Sequence, residues 1–214
     1  MERTQRVLSA TDTVTGILHR SMQNPQVISD IIDISLDGLQ RGVNAENIIA
    51  HILAIGLATE PNPSDDVVDA ADYIAEHIGV HCDALLQRTD KAAGAELNKR
   101  EKRLVGILRG GKRVYADPKI AGQFHSLLVR LSKRLVPRIL DIAKSGASGQ
   151  ALQATGNIGL LIQDALSEVM KEPDVLATVL EVAPYFKGAG GDEGVGVDGE
   201  YDVAGWLTRL LSNR

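Results

Sequence analysis

Apolar residues recur at intervals of three and four along nearly the whole chain, the spacing of one helix face. Val7, Val14, Ile17, Leu18 and Met22 outline a first helix. "NPQVISDIIDISLDGLQRG" predicts a second: Asn24 can cap it, Pro25 suits its first position and Gly42 its stop. Asn44 then caps "AENIIAHILAIGLA", which is apolar nearly all round and so predicts a central helix. After the loop "TEPNPSDD", Ser64 stands at the start of a long helix through "VVDAADYIAEHIGVHCDALLQR". The next helix, over roughly 90–109, is expected to end at Gly110–Gly111, leaving "KRVYADP" extended or looped.

Asp117–Pro118 opens another helical pattern, with Ile120, Phe124, Leu128, Leu131, Leu135 and Ile139 on its apolar face. Pro137 should kink or break it. "GQALQATGNIGLLIQDALSEVMK" reads as one more helix, and Glu172–Pro173 opens a short last one that stops near Pro184. No alternating run longer than "RVYA" suggests a strand. The fold class is therefore all-α, a multi-helix bundle of about seven to nine helices over residues 1–185, with a possible sub-division near 89–90. Residues 186–200, "FKGAGGDEGVGVDGE", hold six glycines and four acids and read as a flexible acidic linker. Beyond it, Val203, Trp206, Leu207, Leu210 and Leu211 fall on one face of a short C-terminal amphipathic helix. Such a helix either folds back on its own domain or docks on a partner or second copy.

Composition narrows the class. Of 214 residues, 44% are hydrophobic and 24% charged, which favours a packed core over disorder. Aromatic residues are only 3%, so the core is aliphatic and base-stacking modules are disfavoured. The one cysteine, Cys82, excludes a disulfide framework and a cysteine-based zinc site within one chain. The opening residues lack an apolar signal core, and the longest apolar stretch is interrupted by His51, far short of the roughly 18 residues a span needs. A soluble cytoplasmic protein is the expectation.

Charge changes the picture most. Lys99, Arg100, Lys102, Arg103, Arg109, Lys112, Arg113, Lys119, Arg130, Lys133, Arg134 and Arg138 put twelve cations into residues 99–138, against Glu101 and Asp117. The segment carries +10 and the rest of the chain −15, for a net charge of −5. Arg130, Arg134 and Arg138 follow at i, i+4, i+8, and Lys119 lies three turns earlier. A helical hairpin would gather these groups into a basic face suited to phosphates. An acidic protein partner suits it too, and so does simple neutralisation by the chain's own acids, such as Asp65, Asp66, Asp69 and Asp72.

Two motifs look like chemistry. "GILRGGK" matches G-x-x-x-x-G-K, yet Arg113 stands where a magnesium-binding Ser or Thr belongs and no buried strand precedes it. A helix-ending Gly-Gly turn explains the glycines better, and such a turn would offer backbone N–H groups and Lys112 to a phosphate. His77 and His81 at i, i+4 are weak metal candidates that need a third ligand from His51, His125 or Asp69. Neither a nucleophile elbow nor a calcium-loop spacing is found, and no cofactor is implied. The reading is a non-enzymatic helical subunit or adaptor of a cytoplasmic assembly, oligomeric or bound to other subunits. Its basic hairpin would contact RNA or DNA backbone. The alternative is a protein-only adaptor for an acidic partner, and the third reading is a metal-dependent helical enzyme using His77 and His81.

Overall fold

In a computed structural model the chain is described over residues 2–88, 96–146, 164–165 and 167–186. The elements are α1 (Glu2–Ser21), α2 (Pro25–Gln40), α3 (Ala45–Leu57), α4 (Asp65–Leu86), α5 (Lys99–Tyr115), α6 (Ala121–Gly146) and α7 (Pro173–Val182), then a 3-10 turn, Ala183–Phe186. Residues 164–165 and 167–169 are also helical, and no strand occurs among the described residues. The all-α bundle is thus the fold. No helix among them is long and apolar enough to cross a membrane. Most of the helix over 149–171, the linker after Phe186 and the C-terminal helix lie outside the described residues, as does the boundary near 89–90.

Several starts follow local chemistry. Asn24 Oδ1 accepts from the Gln26 N–H, with Pro25 at the first helical position, and Asn44 Oδ1 accepts from the Asn47 N–H. Gly42 stops α2 at a positive φ of 69°. Ser64 occupies the cap position of α4 without a side-chain cap bond.

Three apolar clusters make the interior. Val14, Ile17, Ala70, Ala71 and Ile74 lead the first, between α1 and α4. Ile32, Leu36, Ile48 and Val105 form the second, where α2, α3 and α5 meet. Val114, Phe124, Val169, Val175 and Val182 form the third, under α7. Helix α6 enters all three, through Leu140, Val129 and Phe124 respectively. Helix α3, which the apolar pattern marks as central, enters the first two, through Leu53 and Ile48. On α3 only Ala45, Ile48, Leu53 and Gly56 are buried, while His51 and Ala54 face solvent. Its N-terminus lies close on α4 because Gly79 has no side chain; a Cβ there would sit 2.6 Å from the Glu46 Cα. Packing crosses residues 89–90, joining α2 to α5 and α1 and α4 to α6.

Two expectations about helix ends are corrected. Helix α5 does not stop at Gly110–Gly111 but runs through both to Tyr115, so "KRVY" is helical. Helix α6 does not break at Pro137; it continues to Gly146 with that ring on the exposed side.

Candidate functional site

The basic segment divides between two helices that fold back on each other. Val114 at the end of α5 shares a cluster with Phe124 at the start of α6, and Val105 shares one with Val129. The rings of Tyr115 and Phe124 meet edge to face with centroids 5.7 Å apart. The two halves of the positive charge have different fates.

On α6 the arginine stripe is answered within the chain. Arg130 Nη1 lies 2.6 Å from Glu172 Oε2 and 2.8 Å from Asp174 Oδ2. Arg134 reaches Glu172 at 3.0 Å and Glu168 at 3.6 Å, and Arg138 reaches Glu168 at 3.4 Å. Three cations thus meet three carboxylates. Glu172 stands at the N-cap of α7 but makes no cap bond, because its two oxygens go to Arg130 and Arg134. The acids that neutralise the stripe are these, not Asp65, Asp66, Asp69 and Asp72 of α4. Apolar burial, rather than the ion pairs, holds the 167–186 segment down. Val169, Met170, Val175 and Val182 are buried, each worth roughly 1.5–3 kcal/mol, whereas exposed pairs contribute about 0–1 kcal/mol apiece. Lys119 does not continue the stripe. It lies in the turn before α6, where its N–H donates to Asp117 Oδ1.

On α5 three cations are committed to local structure. Lys112 pairs with Asp33 of α2, Arg113 donates to the Tyr185 carbonyl, and Arg100 Nη1 donates to the Leu85 carbonyl at 2.6 Å. Lys99, Lys102, Arg103 and Arg109 are exposed, and no ion pair engages them among the described residues. Lys133, on α6, is exposed as well. Its charge, after burial, helps push the His19 pKa below its ordinary value.

The pose of α5 is set by a polar junction that the sequence reading missed. Asn98 and Glu101 form a capping box: Asn98 Oδ1 accepts from the Arg100 and Glu101 N–H groups, and Glu101 Oε2 accepts from the Asn98 N–H at 2.6 Å. The other Glu101 oxygen takes Arg88 Nε at 3.0 Å, with both side chains almost wholly buried, 1% and 4% exposed. Asn98 Nδ2 donates to the Leu86 carbonyl at 2.6 Å, closing the end of α4. Asp83 stands 3.9 Å from Arg88 and accepts from the Ala45 N–H, tying in the start of α3. Asn-x-x-Glu ahead of an apolar run is the local signal for this start, which lies later than the start near residue 90 that the apolar spacing predicts.

The glycines of "GILRGGK" serve packing. Phe186 lies flat against α5 at Gly110, where a Cβ would come within 2.4 Å of its ring. With Gly111 and Lys112 inside a helix, the local backbone N–H groups belong to the helical ladder. The expected phosphate-presenting turn is therefore absent.

The described histidines stand in separate surroundings. His77 Nδ1 lies 2.9 Å from the Tyr73 carbonyl, and its ring stacks on Tyr73 at 3.9 Å. His81 is buried, and its pKa is pushed down by desolvation first and then by His77. His125 sits elsewhere, between the Tyr115 hydroxyl and the Gln23 carbonyl, each at 3.1 Å. Among the described residues no group of three or more His, Cys, Asp or Glu is placed to hold a metal ion. Burial, aided by Asp83, pushes the Cys82 thiol up to about 11, which leaves it no thiolate at neutral pH. Asp69, Asp72, Glu46 and Glu76 line an open groove of about 620 Å³ between α3 and α4. Comparison with protein-family models, curated proteins and solved structures finds no significant match to this chain.

Proposed function

We propose that this chain is a non-enzymatic helical subunit or adaptor that engages a polyanion, a nucleic-acid backbone foremost, through the outer face of α5. One observation carries the reading: Lys99, Lys102, Arg103 and Arg109 are exposed along one helix and no ion pair with a described residue answers them, while the α6 arginines are matched at home. Lys and Arg presented this way neutralise phosphates and release counterions without reading bases. Ile107, 41% exposed and four residues after Arg103, supports the second reading, an acidic protein partner that also covers an apolar side chain.

The test is fluorescence anisotropy of labelled nucleic acid at low salt with the wild type and two charge-reversed variants. Lys102→Glu with Arg103→Glu and Arg109→Glu should weaken binding at least tenfold with an unchanged melting temperature. Arg130→Glu with Arg134→Glu should leave binding within about twofold. Its melting temperature should fall by a few degrees, the consequence of roughly 1 kcal/mol lost in a chain of this size. Absence of wild-type binding at low salt would sink the nucleic-acid reading and turn the search to an acidic protein.

A further inference from the structure

We infer that the α5 face recognises a double-stranded backbone, DNA or RNA alike, through about four phosphate contacts; this rests on the polyanion reading above. Three observations carry it. First, four of the unmatched cations stand on a single rigid element, α5, apart from Lys119 in the turn and Lys133 on α6. From Lys99 to Arg109 a helix advances about 15 Å at 1.5 Å per residue. A duplex presents roughly nine phosphate charges over that length, at one per 1.7 Å. The helix backbone holds these cations over an arc of about 120°, at 100° per residue, and the backbone of a duplex is likewise ordered before binding.

Second, among the described residues no aromatic platform for unstacked bases lies on this face. Single-strand binders draw much of their affinity from aromatic platforms. The described rings are turned elsewhere. Phe124 is buried, Phe186 covers Gly110, Tyr115 packs on Phe124, Tyr73 stacks on His77, and Tyr185 gives its hydroxyl to Asp117. A flexible single strand would therefore lose conformational freedom on this face and gain only charge neutralisation.

Third, internal matching sets the number of contacts. Counterion release predicts a log–log salt slope of about 0.9 per phosphate neutralised on a duplex, so four cations give about 3.6 and all twelve would give about 11. The affinity for a duplex should then fall roughly a hundredfold between about 50 and 200 mM salt, not a millionfold.

The experiment is a salt titration of the full chain against short mixed-sequence DNA duplex, RNA duplex and single-stranded DNA of equal length. The expected result is a slope of three to four on both duplexes, with affinities within a few-fold of each other and at least tenfold above the single strand. A single strand that binds as tightly as the duplexes would overturn this inference and leave the proposed function standing. So would binding confined to one of the two duplexes. A slope near 11 would overturn the internal matching of the α6 arginines. No binding to any of the three would overturn the proposed function itself, and this inference with it.

Discussion

Helices α5 and α6 are both basic in sequence, seven cations against one acid in 17 residues and five against one in 26, and the structure treats their charges differently. On α6 the arginines stand at a four-residue pitch, and the segment after it offers Glu168 and Glu172 at the same pitch, with Asp174 beside them. On α5 the outer cations meet no such row among the described residues, and the buried side of the helix carries the ion pair instead. Where a charge is answered within the chain, it orients a neighbouring element. Where it is not, it is available to another molecule. The sign of the charge is the same in the two helices; what separates them is the complementary row of acids that only the α6 arginines meet among the described residues.

The sharpest way to break this contrast is at the buried pair. Glu101→Ala removes the nearer partner of Arg88, leaving it Asp83 at 3.9 Å, and takes away one half of the capping box. Breaking a buried pair from one side costs about 3–5 kcal/mol. At roughly 2–4 °C per kcal/mol for a chain of this length, the melting temperature should drop by about 10 °C. A double variant, Arg88→Met with Glu101→Leu, should recover most of that loss, because apolar replacement of both members of a buried pair is close to neutral. Failure of the double variant to recover would show that the cap bonds of Glu101 to Asn98, not its charge, hold α5 in place.

A gentler change thins the row of acids. Glu172→Gln leaves Arg130 with Asp174 and Arg134 with Glu168, but takes a full negative charge out of the row. These side chains are 35–64% exposed, so the stability cost should stay at or below about 1 kcal/mol. Duplex binding should change by no more than about twofold and its salt slope should stay at three to four, since both arginines keep an acid and neither stands on α5. A slope steeper by about one would mean that an α6 arginine reaches the nucleic acid as well.

How much of this was legible in the sequence follows from the range of the forces. Period and caps are local, so the helices, the Asn24 and Asn44 caps and the Pro173 start were readable from neighbouring residues. Gly110 and Gly111 misled because a local rule, glycine as helix stop, met a long-range need. Phe186, some 75 residues later, must lie against bare backbone there. The matching of Arg130, Arg134 and Arg138 to acids 30 to 44 residues away is long-range as well. It left a trace, the shared four-residue pitch of Glu168 and Glu172, that the charge count did not register. Only Asn98-x-x-Glu101 was a local signal simply passed over.

The smallest effect lies at the turn where the two helices join. There Tyr185 of the 3-10 turn donates its hydroxyl to Asp117 at 2.5 Å, and the Lys119 N–H donates to the same carboxylate. The Tyr185 hydrogen bond, then the Lys119 N–H, holds the Asp117 carboxyl below its ordinary value of 3.8, and Asp117 in turn holds Tyr185 above 10.0. A depressed carboxyl adds stability that is present above its unfolded pKa and is lost as pH falls through its folded one. A raised tyrosine adds stability that is present below its unfolded pKa and is lost as pH climbs through its folded one. The contribution of the pair is therefore full from about pH 4 to about pH 10 and fades on both sides. Tyr185→Phe should lower the melting temperature by a degree or so across that plateau, and the gap to wild type should close below pH 4 and again above pH 10. Duplex binding at pH 7 should not move, since neither group belongs to the outer cations of α5. A binding loss in this variant would tie the α5 face to the 3-10 turn behind it, and the division between answered and available charge would have to be drawn across Arg113, whose guanidinium holds the Tyr185 carbonyl, rather than between the two helices.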